Sequence, residues 1–344
     1  MRQLAHLAAL FLLAACSAAG RGAQRPDLEV ILAEGPAPVL SDYGLFADVP
    51  TAVPADGVLP YDLINPLFTD HAAKHRLVFV PEGEAAGFDD TGVFSFPLGS
   101  VLVKTFAFAP DMRAPDDGAW RVETRLLIRK ADGWIAYPYV WNEEQTEAVY
   151  APAGKRLDIE TIGLSGEALS LRYSVPNQNQ CKTCHQAGDT ISPIGPKARH
   201  LAHEGQLARW AEAGILEGLP EGVEGEPYAF DPSAPLDARA RAWLDINCAH
   251  CHKADGSASN SGLWLSATEP AGARIGLLKH PVAAGRGSGG LAQVIVPGNP
   301  DASILTYRMA STEPGVAMPE LGRSVTDPES LALIRDWIAA MESP

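Results

Sequence analysis

The chain has 344 residues, 46% of them hydrophobic, 20% charged and 7% aromatic, which predicts about two folded domains and excludes collagen-like, disordered and polytopic membrane proteins. A formal net charge of -15 excludes a nucleic-acid partner, because a polyanion would be repelled. Five cysteines are too few for a disulfide scaffold, so the information lies in where Cys16, Cys181, Cys184, Cys248 and Cys251 fall.

Residues 1–15 read as a secretory signal. Met1 and Arg2 precede the apolar run Leu7–Leu13, which is too short to remain as a membrane span. Leu13-Ala14-Ala15-Cys16 is similar to a bacterial lipobox, which makes Cys16 the expected lipidation site and anchor. Residues 16–38 lack an apolar period and read as a tether. The expected location is the periplasmic side of a bacterial membrane, with Ser17 favouring the outer one.

Residues 39–176 are strand-like. His75–Val80, Val93–Phe96, Val101–Phe108, Val122–Ile128 and Trp134–Trp141 are β-branched or aromatic runs of strand length, and Ala131-Asp132-Gly133 marks a hairpin turn. A β-rich domain, sandwich or barrel-like, is expected. The period turns helical after Pro196: residues 197–216 and Leu236–Asn247 read as helices, Asn299 can cap a short helix reaching Met309, and Asp327 and Pro328 begin a last helix with an apolar stripe through Met341. The expected fold class is therefore α+β and multidomain. A first haem-bearing segment, residues 177–228, forms the junction, and residues 229–344 form an all-α domain.

Haem enters through the cysteines. Cys181-Lys182-Thr183-Cys184-His185 and Cys248-Ala249-His250-Cys251-His252 both match the pattern for covalent c-type haem. Two thiols one helical turn apart can add to the two vinyl groups of one porphyrin, and the following histidine then lies beneath the iron. A zinc ribbon would leave both histidines unexplained. With 9 His in 344 positions, chance places one after both pairs about once in 1,500 sequences. A thioredoxin-like dithiol would need a βαβ context that neither motif has. Two covalently bound haem c groups are expected, with His185 and His252 as proximal iron ligands.

The helix entering Cys248, Met318-Pro319 and the closing helix follow an order that resembles the class I cytochrome c domain. That resemblance implies Met318 as the axial thioether of the second haem. The distal ligand of the first haem stays open among His200 and His203 nearby, and His71, His75 and Met112 in the β-rich part, or is absent. Arg286, in Gly285–Gly290, is a candidate partner for a haem propionate, and His250 is expected to face solvent.

Most of the mature chain resembles a family of predicted bacterial lipoproteins, di-haem c-type cytochromes found near a parallel β-helix repeat protein. Its marks are Asn65-Pro66-Leu67-Phe68 with Lys74-His75-Arg76, Glu123–Leu127, Tyr139–Asn142, Asn179-Gln180 before Cys181, Ile194–Arg199 and Ala284–Gly290. The resemblance implies electron transfer, lends His75 support as the distal ligand, and makes the β-helix protein a possible partner beside an unnamed redox protein. Two other functions remain in view: a peroxidase-like enzyme with an open first haem, and a cytochrome subunit serving a dehydrogenase or a polysaccharide-binding partner.

Overall fold

The structure is a computed structural model that describes residues 24–282 and 284–342. The expected signal peptide, Cys16 and the first part of the tether lie outside the described residues. No helix among them is long and apolar enough to cross a membrane.

Eight of the strands described in the N-terminal half frame the site: β1 (Val58–Tyr61), β2 (Ala73–Phe79), β3 (Val101–Phe108), β4 (Trp120–Lys130), β5 (Gly133–Trp141), β6 (Ala148–Tyr150), β7 (Lys155–Ile162) and β8 (Ala168–Val175). The first six pair in sequence order as an open antiparallel sheet, and β7 and β8 form a separate hairpin. Val93–Phe96, expected as a strand, contributes only an isolated bridge from Val93 to Lys197 and one from Ser95 to Gly87. The β4–β5 turn is as tight as its sequence implies, pairing Lys130 with Gly133, whose φ of 128° suits glycine.

The two faces of the sheet are covered differently. Strand alternation sends Val101, Val103, Leu126, Ile128, Tyr137 and Tyr139 to one face, where Tyr43, Leu40 and Ile31 from the preceding segment complete a core. On the other face, Val78 and Leu102 pack under Leu201, Leu207 and Trp210. Phe106, Phe108 and Val140 pack under Leu171 and Tyr173 of the hairpin. Between these patches run Arg76, Lys104 and Arg125, which pair in register on β2, β3 and β4.

The hairpin delivers the chain to a helix, α1 (Gln178–His185), through a reciprocal cap. The Asn177 side chain accepts from the Gln180 N–H at 2.9 Å, and the Gln180 side chain accepts from the Asn177 N–H at 2.9 Å. Cys181, Cys184 and His185 thus stand on one short helix. The helix expected over residues 197–216 is broken into α2 (Ala198–Leu201) and α3 (Gln206–Glu212), because Glu204 and Gly205 take φ of 48° and 69°.

The expectation of an all-α, class I cytochrome c-like domain over residues 229–344 is overturned. Helices α4 (Leu236–Asn247), α5 (Ile304–Ala310) and α6 (Pro328–Ala339) are present, but the described residues from Cys248 to Ser303 form loops, short 3-10 turns and isolated β-bridges. Gly262, Gly272, Gly276, Gly285, Gly289 and Gly290 all take positive φ there, which ends each turn before a helix can propagate. The protein is β-rich, with five separate sheets among the described residues. The ends of α6 nevertheless form as read: Asp327 accepts from Ser330 N–H at 3.1 Å and Pro328 is the first helical residue.

Leu126 is fully buried at the centre of the first core. Leu126→Ala is expected to lower the unfolding free energy by about 2–5 kcal/mol, read from urea denaturation; a loss within experimental error would show that this face is not the main core.

Candidate functional site

Two cavities meet inside the molecule. The first, of about 590 Å³, is lined by Cys181, Cys184 and His185 on one side and by Arg76, Lys104 and Arg125 of the sheet on another. The second, of about 380 Å³, is lined by Cys248, Cys251, His252, Met309 and Met318. Both volumes fall in the range of cofactor pockets, about 300–1,000 Å³. Cys184, His250, Pro319 and Leu321 line both.

Each motif histidine is oriented by one hydrogen bond. His185 Nδ1 lies 2.9 Å from the Ser192 carbonyl oxygen, so Nδ1 carries the proton. His252 Nδ1 lies 3.1 Å from Ser261 Oγ, whose own hydrogen goes to Ala258 O at 2.6 Å, so this Nδ1 is also the donor. Both rings therefore leave Nε2 as a free lone pair, the arrangement that fixes tautomer and angle in metal-binding histidines. Burial pushes both imidazoles down to about 4, which keeps them neutral at physiological pH.

The motifs touch where the cavities join. The sulfurs of Cys184 and Cys251 and a ring nitrogen of His250 lie within 4.8 Å of one another. The Cys251 thiol donates to Thr183 O, on the first motif's helix, at 3.5 Å. The four motif cysteines are free thiols. In a haem-loaded chain the same sulfurs would be thioethers, so this geometry describes where the attachment edges meet. His250 is half-buried between the cavities, against the expectation that it faces solvent.

The residues fit two c-type haems. Each cavity has one thiol pair and one histidine with an available Nε2, and the first wall also holds Arg76 Nη2, a buried donor with no partner, suited to a carboxylate such as a propionate. Met318 and His252 line the second cavity together. The Met318 loop is tied to the sheet half by Asp70, whose carboxylate accepts from Ser324 N at 2.6 Å, Val325 N at 3.1 Å and Ser324 Oγ at 3.0 Å. Arg286 lines neither cavity and pairs with Glu313 at 2.9 Å. Arg308 is the arginine that lines the second cavity.

None of the expected distal ligands reaches the first cavity wall. His75 is exposed on β2. His203 Nε2 is 3.2 Å from Asp62 O. His71 packs edge-on against Phe68 with ring centroids 4.9 Å apart, and Met112 is buried beneath the hairpin. His200 is fully buried, with Nε2 at 2.7 Å from Asp245, which Arg199 also grips at 2.6 and 3.1 Å. Two of the segments that carried the family resemblance are thus used structurally: Arg199 holds Asp245, and Asn65 donates to Glu226 and Pro227 O, both at 2.9 Å. Lys104, Arg76, Arg125 and His250 were missed as site residues. Lys104 did leave a trace, as the one charge in the apolar run Val101–Phe108.

No family model, curated protein or solved structure matches the chain.

Burial beside Asp245 pushes Glu226 up to about 8, against an ordinary value of 4.5, with only the Asn65 hydrogen bond and nearby cations opposing. Between those values the folded state holds a proton that the unfolded chain has released. Stability therefore falls as pH rises through that window, by at most about 1.4 kcal/mol per pH unit, and falls no further above it. Glu226→Gln removes this slope. Urea unfolding should find the variant's advantage over wild type a few kcal/mol larger at pH 8 than at pH 5; an equal difference at both would contradict the assignment.

Proposed function

We propose that the protein is an exported, lipid-anchored di-haem c-type cytochrome that passes electrons at the periplasmic face of a bacterial membrane. The observation that carries this reading is the meeting of the two motifs: each faces its own cavity, and Cys184 and Cys251 come together where the cavities join. Bound haem would supply reversible one-electron chemistry between ferric and ferrous iron.

The chain's own residues supply attachment, orientation and insulation. Cys181 with Cys184, and Cys248 with Cys251, would carry the thioethers. Ser192 O and Ser261 Oγ hold the proximal histidines in the ligating tautomer. Met318 would offer an iron held at His252 a soft thioether, which would favour the ferrous state. Pro319 and Leu321, shared by both walls, put apolar surface at the junction. Cys16 would hold the lipid, and Ser17 after it favours the outer membrane. The donor and acceptor are unnamed redox proteins, and a neighbouring β-helix repeat protein is a candidate partner.

One observation favours a second reading. Cys184, His250 and Cys251 offer three donors within reach of a single ion, as a zinc site would. That reading uses two of the four motif cysteines and neither His185 nor His252, whose Nε2 atoms are both left available.

Protein made with haem-maturation machinery provides the test. Two haems joined at adjacent edges should give a bisignate Soret circular dichroism signal. Met318→Ala should abolish the near-infrared band of thioether-ligated ferric haem and lower one of the two midpoint potentials. A band that persists in the variant would assign the axial ligand elsewhere, and stoichiometric zinc without iron would establish the second reading.

A further inference from the structure

Resting on the two-haem reading above, we propose that the side-chain amine of Lys104 is the sixth ligand of the iron held at Cys181, Cys184 and His185. The register supplies the first reason. Arg76, Lys104 and Arg125 are direct cross-strand neighbours, and all three line the first cavity. Like charges placed opposite one another destabilise a sheet, so each needs compensation. Arg125 has it, gripping the buried Glu123 through Nε at 2.7 Å and Nη2 at 2.6 Å. Arg76 has it in part, from Asp62 at 2.5 Å.

Lys104 has neither a carboxylate nor a hydrogen-bond acceptor among the described residues. Its Nζ lies 5.0 Å from the centre of the Phe106 ring, which Arg125 also faces at 4.3 Å. An ammonium in this position is opposed by desolvation and by a guanidinium on either side, and both effects hold the amine well below its ordinary range. A neutral amine has a free lone pair, the form a metal requires. Coordination would use that lone pair and leave the row with two charges instead of three.

The other donors around the cavity are occupied or unsuited. Arginine stays protonated and cannot ligate. Burial pushes the Tyr61 phenol up to about 12, and its ring packs on Trp210. Lys155 is exposed. His250 is held at the thiol edge, with Nδ1 3.3 Å from Ile246 O and a ring nitrogen against Cys184 and Cys251. Lys104 and His185 line the same cavity. A first haem with histidine and amine ligands has no open position. It would relay electrons and not react with peroxide.

The test uses the haem-loaded mature chain, with covalent haem counted first. Two haems per chain are expected in wild type and in Lys104→Ala; fewer in wild type overturns the two-haem reading and this ligand with it. Paramagnetic resonance and cyanide titration then read the ligand. Wild type should be wholly low-spin and bind no cyanide, whereas Lys104→Ala should turn one haem high-spin and bind one cyanide per chain. Lys104→Met, which keeps the side-chain length, should stay low-spin and gain a second thioether near-infrared band. The proposal is overturned if wild type already binds cyanide, if both Lys104 variants keep the wild-type spectrum, or if His250→Ala opens the site.

Discussion

A sheet face that carries Arg76, Lys104 and Arg125 side by side cannot be sealed with apolar side chains, and the fold is arranged around that constraint. On one flank the face is closed by Leu201, Leu207 and Trp210, and on the other by the β7–β8 hairpin with Leu171 and Tyr173. The strip between them opens into the first cavity. Sealing the strip with apolar side chains would leave Arg76 Nη2 and the Lys104 amine buried without partners, at a cost the added contacts would not return. The hairpin that closes one flank also leads directly into α1, so the element that borders the cavity sets Cys181, Cys184 and His185 on its wall.

The second cavity is made differently. Irregular chain, turning at glycines of positive φ, wraps Cys248, His252 and Met318 around a core shared by α4, α5 and α6. Regular helices would place side chains at fixed intervals, whereas these turns bring backbone and side chains to the cavity from several directions. Asp70 joins the two systems, since its three hydrogen bonds hold the end of the Met318 loop against the sheet half. Ile246 of α4 also lies in the core beneath the sheet. The boundary expected near residue 228 is thus crossed by a core and by a carboxylate.

Much of this was legible in the sequence. Strands from Val101 to Trp141, the Gly133 turn, α4 and the Asp327 cap follow from local period and end signals. Both motifs follow from spacing and residue type, whereas Met318 is expected only through the class I cytochrome c resemblance. The C-terminal half departs from the all-α expectation because its three helices are joined by chain that turns at glycines of positive φ, a feature the helical periods alone do not reveal. The first cavity's sheet wall was not legible. Arg76, Lys104 and Arg125 become neighbours through strand register, which single strands do not reveal, and the histidines chosen by sequence distance are placed elsewhere by packing. His200 shows why: its nearness to His185 in the chain says nothing of Asp245, which holds it.

Intact mass under denaturing, reducing conditions counts the haems covalently held at the two motifs. Mature protein produced with haem-maturation machinery should carry two haems after acid-acetone extraction, and exactly one after either motif's cysteine pair is replaced by alanine. One haem or none on the wild-type chain would contradict the account.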